Sequence, residues 1–261
     1  MESDFTLERY LQFAARKGTK ALSYLRTHEK RYAITLEFLG DARGSAALEL
    51  GSTEFFQLYL QNVLGFEETW ATQFGLPPEQ KLGKVEYEVG EYRAKSTSVS
   101  LELESELFPL SGEKFDLVLM CEVIEHFDVD PMFCLVELNR IMHIGGKLLI
   151  TTPNACSAKM AHKCALGYRP HFFMQYTTDR SPYRHNFEHD VHSLISLTNA
   201  AGFEIEKLET HDVFQDTDHE ALQFLREANM PMEWRGDDIL LLAKKVGSPT
   251  DRWPADVYYH V

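Results

Sequence analysis

"KFDLVLMCEVIEHFDVDPMFCLVELNRIMHIGGKLLITTPN", Lys114 to Asn154, lays three elements end to end. "FDLVLMCEV" is a continuous apolar run, as a strand buried on both faces requires. "DPMFCLVELNRIM" reads as a helix with Asp130 as its cap and Pro131 in the first turn, where a missing N–H costs nothing. "GGKLLITTPN" is a second buried strand. Strand, helix, strand is the repeating unit of a parallel sheet.

The same alternation continues outward in both directions. "AALEL" is a short strand candidate and "EFFQLYLQNVL" a helix. "KVEYEVGEY" and "STSVSLELE" read as strands with alternating faces. A helix precedes the strand "AGFEIEKLET", and "DDILLLAKK" is the last strand. Before all of these, Leu7, Tyr10, Leu11, Ala14 and Ala15, then Leu22 and Leu25, then Tyr32, Leu36 and Leu39 recur at helical spacing, with Gly18 and Gly40 as breaks. The expected organisation is a helical segment over 1–40, an α/β domain over 41–246 and a C-terminal arm over 247–261. Within the domain, 155–185 fits neither period. It is rich in aromatic and basic residues, and a loop of that length suits a lid or a substrate-binding insertion.

Bulk properties narrow the function. The 261 residues carry 26 basic and 40 acidic side chains, a net charge of −14. Such a surface repels phosphate backbones and anionic lipid, so neither nucleic acid nor a membrane surface is expected as partner. No apolar run reaches the roughly 18 residues of a membrane span, and the N-terminus lacks a signal-peptide core, so a cytoplasmic location is expected. Cys121, Cys134, Cys156 and Cys164 form no C-x-x-C pair, which argues against a zinc ribbon and for reduced thiols.

The stretch from Pro109 to Asn154 resembles the central part of class I S-adenosylmethionine-dependent methyltransferases. Their pattern is a proline six before a phenylalanine, F-D-x-V, E-V-x-E-H, a helix ending R-x-L-x-x-G-G and a strand ending T-x-P-N. Pro109, Phe115, Asp116, Glu122, Glu125, His126, Arg140, Gly145, Gly146, Pro153 and Asn154 match it in register. "RHNFEHDVHSLISLTNAAGF" is similar to a later pattern of the same family through His185, Asn186, Glu188, Leu194 and Ala201–Gly202–Phe203, with Phe187, His189 and Asp190 departing from it. "DRWPADVYY" looks like the tail of members associated with cell-surface polysaccharide. The resemblance implies a Rossmann-like sheet of seven strands, six parallel and the last antiparallel, with S-adenosylmethionine at the carboxyl edge, where open α/β sheets bind ligands.

One turn departs from that family. After "AALEL", which ends at Leu50, come Gly51, Ser52, Thr53, Glu54 and Phe55, where the family has three glycines. Glu49 keeps the acidic position and Gly51 the first glycine. Thr53 and Phe55 stand in the other two places. Thr53 is β-branched and resists positive φ, and Phe55 would put a ring where cofactor or sheet sits. Thr72 falls where the family has the acid that takes the ribose hydroxyls. Glu104, five before Pro109, keeps the adenine-side acid. The resemblance therefore assigns cofactor binding to Glu49, Gly51, Thr53, Thr72, Glu104, Met120, Cys121 and Glu122, with affinity reduced but not abolished.

Methyl transfer to a hydroxyl needs alignment and a base. Glu125 and His126 follow the strand that starts at Phe115, on the ligand edge. His126, with its ordinary pKa near neutrality, is the first candidate base. His185 and Asn186 follow the insertion, as catalytic and substrate-binding candidates. Asn154 ends a strand and is a third acceptor contact, with a capping role as its rival. Arg169, His171, Arg180 and Arg184 make the insertion basic, a setting for a phosphate or carboxylate on the acceptor, such as a nucleotide-sugar. The expected acceptor is a small molecule, with a sugar hydroxyl of a glycan or glycolipid precursor as the example. Two rival readings stand beside this one. One is a methyltransferase fold that has lost catalysis and serves as a partner. The other is a metal-binding protein using His185, His189 and His192 with Glu188 and Asp190.

Overall fold

Leu117 and Leu119 leave their strand on one face, Val118 and Met120 on the other, and all four are buried. That alternation sorts the core into two layers. Val118, Met120, Leu148, Ile150, Ile239 and Leu241 pack with Leu135, Leu138, Leu194 and Leu197. Ala47, Leu117, Leu119, Leu149 and Leu240 pack with Phe55, Leu58 and the N-terminal Phe5, Tyr10, Tyr32 and Phe38.

The computed structural model describes residues 4–17, 19–73, 81–169 and 184–258. Its strands are β1 (Ala46–Leu50), β2 (Glu68–Thr72), β3 (Leu82–Val89), β4 (Tyr92–Val99), β5 (Phe115–Cys121), β6 (Met142–Pro153), β7 (Phe203–His211) and β8 (Asp238–Lys245). The helices are α1 (Leu7–Lys17), α2 (Thr19–Thr27), α3 (Glu29–Leu39), α4 (Glu54–Asn62), α5 (Pro131–Ile141), α6 (Ala158–Ala165), α7 (Val191–Ala200) and α8 (His219–Glu227). The sheet order is β3-β4-β2-β1-β5-β6-β8-β7. From β4 to β6 the neighbours are parallel, and β8 runs antiparallel to both β6 and β7. The strand order reverses beside β1, so the carboxyl ends of β1, β2 and β5 form the crevice where such sheets take ligands.

The sheet has eight strands where seven were expected. The extra one, β3, is an edge strand that pairs antiparallel with β4 through a hairpin at Gly90. Gly90 has φ +62°, and a Cβ there would meet the Phe13 ring at 2.5 Å, so the turn and the approach of α1 both need glycine. The strand expected over "STSVSLELE" stops at Val99. Beyond it the chain folds into a turn closed by the Glu106 N–H donating to the Glu102 carbonyl at 2.8 Å.

Helix α5 begins as the sequence requires, with the Asp130 carboxylate accepting the Phe133 N–H at 3.2 Å and Pro131 at the first turn. The C-terminal arm docks on that cap. Arg252 pairs with Asp130, and the Tyr258 hydroxyl donates to it at 2.6 Å. Arg140 donates to the Leu110 carbonyl at 2.8 Å and to that of Phe108 at 3.2 Å, which fixes the bend around Pro109. Among the described residues no helix is long and apolar enough to cross a membrane.

Candidate active site

Thr53 has φ −120° and is the N-cap of α4, its hydroxyl accepting the Phe56 N–H at 3.2 Å. The expected conflict with positive φ does not arise, because only Gly51, at φ +75°, takes the left-handed conformation in this turn. Phe55 is 1% exposed and lies among aromatic rings of the helical layer, not on the ligand side. Glu49 is also turned inward. Its carboxylate accepts the Thr53 N–H at 2.9 Å, the Thr53 hydroxyl at 2.6 Å and the Gln57 amide at 2.6 Å. Burial pushes the Glu49 carboxyl up to about 8, against those hydrogen bonds. The Thr72 hydroxyl accepts the Gly51 N–H at 2.8 Å, and the Thr72 carbonyl accepts the Ser52 N–H at 3.0 Å. The degenerate turn is thus held by side chains: Glu49 and Thr53 do internally what close glycine packing does in the family pattern.

Beyond β5 lies a group of polar side chains that bond to one another. Glu122 has φ +55°, a conformation that costs a non-glycine residue about 1–2 kcal/mol. It is held there by its N–H to the Thr151 carbonyl at 2.9 Å, by the Thr151 hydroxyl at 2.7 Å and by Arg31 of α3 at 3.5 Å. The strained residue begins a bend into the 3-10 turn Ile124–His126. That turn presents Glu125, fully buried, and His126, half-buried. One Glu125 oxygen accepts the Thr152 hydroxyl at 2.9 Å, while Oε1 has no hydrogen-bond partner and lies 3.8 Å from His126 Nε2. Burial, and then the nearby Glu122 charge, raise the Glu125 carboxyl well above the carboxylate range. Burial holds His126 below its ordinary value, opposed by the Arg184 carbonyl, so its imidazole is neutral at neutral pH.

Asn186 brings the segment after the insertion onto this turn. Its N–H donates to the Glu125 carbonyl at 2.8 Å and its amide to the His126 carbonyl at 2.6 Å, while Arg184 Nε donates to its side-chain oxygen at 2.7 Å. His185 consequently stacks edge-on against His126, ring centres 5.0 Å apart, with its Nδ1 3.1 Å from Glu188. The three candidate catalytic residues therefore meet at one place, although 59 positions separate His126 from His185.

Other predicted site residues have structural partners. Glu104 accepts the N–H groups of Asp128, Val129 and Asp130 at 3.1, 2.8 and 2.6 Å, which spends both its oxygens on the loop before α5. Asn154 is fully buried. It donates to the Trp234 and Gly236 carbonyls and accepts the Cys156 N–H, so it closes a loop instead of facing an acceptor. Met120 is buried in the core, and burial raises the Cys121 thiol far above its usual range, leaving it inert. Arg169 and Arg184 are exposed, while His171 and Arg180 lie outside the described residues. His185, His189 and His192 do not assemble into the metal group of the rival reading. His192 is exposed against Trp234, and His189 is buried apart from both, packed on Phe187.

Two residues at this edge escaped the sequence reading. Arg31 lay in a helix whose docking face no periodicity specifies. Asp238 opens β8 on the ligand edge, a position visible in "DDILLLAKK". It is fully buried, neither oxygen has a hydrogen-bond partner, and burial first and Glu122 second raise its carboxyl well above the usual range.

His189 supplies a pH prediction. It is 2% exposed, its Nδ1 has no hydrogen-bond partner, and burial lowers its pKa to about 4. A histidine depressed on folding stabilises the fold fully above its unfolded value near 6.5, and that contribution fades as pH falls towards 4. About 3 kcal/mol should be lost across that window. Urea melts at pH 7 and pH 4.5 should show this loss, and His189→Leu should flatten it. Equal slopes for the two chains would contradict the assignment.

With the site laid out, comparison with known proteins places the chain. Many solved structures share its architecture. A methyltransferase dependent on S-adenosylmethionine from Archaeoglobus fulgidus matches with TM-score 0.54 and 15% identity, over 87% of this chain and 100% of that one. One from Mesorhizobium loti matches with TM-score 0.51 and 14% identity, over 82% and 97%. No curated protein matches the sequence. The fold is that of the class I methyltransferases. The chain belongs to the methyltransferase domain family, whose model matches residues 3–208.

Proposed function

We propose that the protein is an S-adenosylmethionine-dependent methyltransferase of cytoplasmic location that methylates a hydroxyl of a small molecule. The observation that carries the acceptor chemistry is the meeting of Glu125, neutral His126 and His185 beside the crevice at the end of β5. A neutral imidazole there takes the proton that the hydroxyl gives up as its oxygen attacks the methyl group. The cofactor supplies that methyl group from a positively charged sulfur. A sugar hydroxyl is the acceptor the tail resemblance suggests, although Arg252 and Tyr258 of that tail are engaged with Asp130.

The cofactor fits the residues present in part. Gly51 keeps the left-handed turn, and a Cβ there would meet only Val123, at 3.5 Å, so the space beside the turn is open. Thr72 and Glu122 are the residues we place nearest the ribose and methionine groups. Isothermal calorimetry with S-adenosylhomocysteine tests the reading: binding at one per chain supports it, and no heat at millimolar ligand refutes it. Thr72→Asp should tighten that binding tenfold or more, because a carboxylate still accepts the Gly51 N–H and adds a charge-assisted ribose contact. Such a contact is worth about 1.5–3 kcal/mol. Unchanged or weaker binding would remove Thr72 from the ribose site.

A further inference from the structure

We infer that Glu125, His126 and His185 form a site for one divalent first-row transition cation, which holds the oxygen of the acceptor. The inference deepens the proposed function and rests on it only for the cation's role, not for its binding. One ligating atom from each of the three side chains lies within 4.8 Å of the other two. That spread is one a cation closes through small side-chain rotations, towards bonds of about 2.0–2.2 Å.

Both imidazoles are set in the tautomer a metal needs. His126 Nδ1 lies 3.0 Å from the Arg184 carbonyl oxygen, which only accepts, so Nδ1 carries the proton and Nε2 the lone pair. His185 Nδ1 lies 3.1 Å from the Glu188 carboxylate, which orders its ring in the same sense. Carboxylate and carbonyl partners on the far nitrogen are the usual support of metal-binding histidines. The third donor is the Glu125 oxygen that is fully buried, lacks a hydrogen-bond partner and stands 3.8 Å from His126 Nε2. The imidazole nitrogen and the carboxyl oxygen face each other 3.8 Å apart with no hydrogen bond between them, a polar gap that a cation fills by satisfying both.

Two imidazoles and one carboxylate suit manganese, iron, cobalt or zinc better than magnesium or calcium, which favour all-oxygen shells. Glu125 and His185 close the site on the inside, and half-exposed His126 leaves its outer positions open. An acceptor hydroxyl bound there loses its proton to water more easily. Its oxygen then forms the bond to the methyl carbon as the carbon–sulfur bond breaks and the sulfur leaves as a neutral thioether. His126 Nε2 becomes a ligand in this arrangement, and water takes the proton of the acidified hydroxyl in place of the imidazole.

The test uses the full chain stripped with chelator and titrated with Mn2+, Co2+ and Mg2+ by calorimetry, with S-adenosylhomocysteine binding measured on the same metal-free sample. One Mn2+ or Co2+ per chain is expected, with Mg2+ much weaker. His126→Ala and His185→Ala should each weaken binding tenfold or more. His192→Ala, which removes an exposed histidine, should leave it unchanged. Spin-echo spectra of the wild-type Mn2+ complex should show two coupled imidazole nitrogens, a readout that no misfolded variant can confuse. No binding at millimolar Mn2+ and Co2+, or unchanged affinity in the folded double variant, overturns the inference. Failure of S-adenosylhomocysteine to bind would strike the proposed function alone.

Discussion

Phe55→Ala is expected to destabilise the protein by about 3–5 kcal/mol, the range for removing a buried phenylalanine ring. Phe55 meets Phe5, Tyr10, Tyr32, Phe56 and Tyr59 with ring centres 5.1–6.0 Å apart. These rings come from the start of the chain, α1, α3 and α4, so the side chain joins the N-terminal helices to the first turn of the sheet domain. Domains are stable by only about 5–15 kcal/mol, so the loss is a large share of the whole, and the melting temperature should fall by roughly 10 °C. Thermal and urea unfolding measure it. A loss below about 1 kcal/mol, together with tighter S-adenosylhomocysteine binding, would mean that the ring occupies the methionine pocket after all. Replacing Phe55 by glycine to restore the family's turn would therefore remove a keystone of the helical layer, not open a binding site.

The helix–sheet order was readable because its elements are local. Asp130 and Pro131 mark the start of α5, and the apolar run from Phe115 can be satisfied only by burial on both faces. The N-terminal helices were readable as helices but not as a cover. Nothing in the spacing of Tyr10 or Tyr32 says that they meet Phe55, and nothing around Arg31 says that it reaches Glu122. The turn after β1 misled for a related reason. Counting glycines treats the turn as backbone alone, whereas Thr53, Gln57 and Thr72 supply from side chains the hydrogen bonds that shape it. Glu104 and Asn154 kept their family positions while their polar atoms went to neighbouring backbone. The candidate catalytic group was named residue by residue. Its convergence depends on Asn186 bonding across to the His126 turn, a contact between distant segments that no periodicity encodes.

His126→Ala should lower the turnover number for methyl transfer by about 10²–10⁴-fold while changing S-adenosylhomocysteine affinity by less than about threefold. The split follows from the geometry. His126 lies past the end of β5, where its partners are Glu125, His185 and Arg184 and not the Gly51 turn that we place against the cofactor. Its ring faces His185, the Arg184 carbonyl and the Glu125 carboxyl, and His126 is in neither core layer, so the substitution leaves the packing of both intact. The loss is the same in kind whether Nε2 takes the proton itself or holds the cation that eases its departure. Groups that act as a unit are also non-additive: once His126 is gone, His185→Ala should reduce turnover by little more. Labelled S-adenosylmethionine with a panel of hydroxylated small molecules supplies the assay, with the single and double variants compared on the best acceptor. If the two substitutions instead multiply, each histidine acts alone and the cluster is not one catalytic device. If His126→Ala keeps full turnover, the acceptor binds elsewhere, and the cleft lined by Lys159, Asp212, Asp216 and Arg235 beyond the end of β7 becomes the place to look.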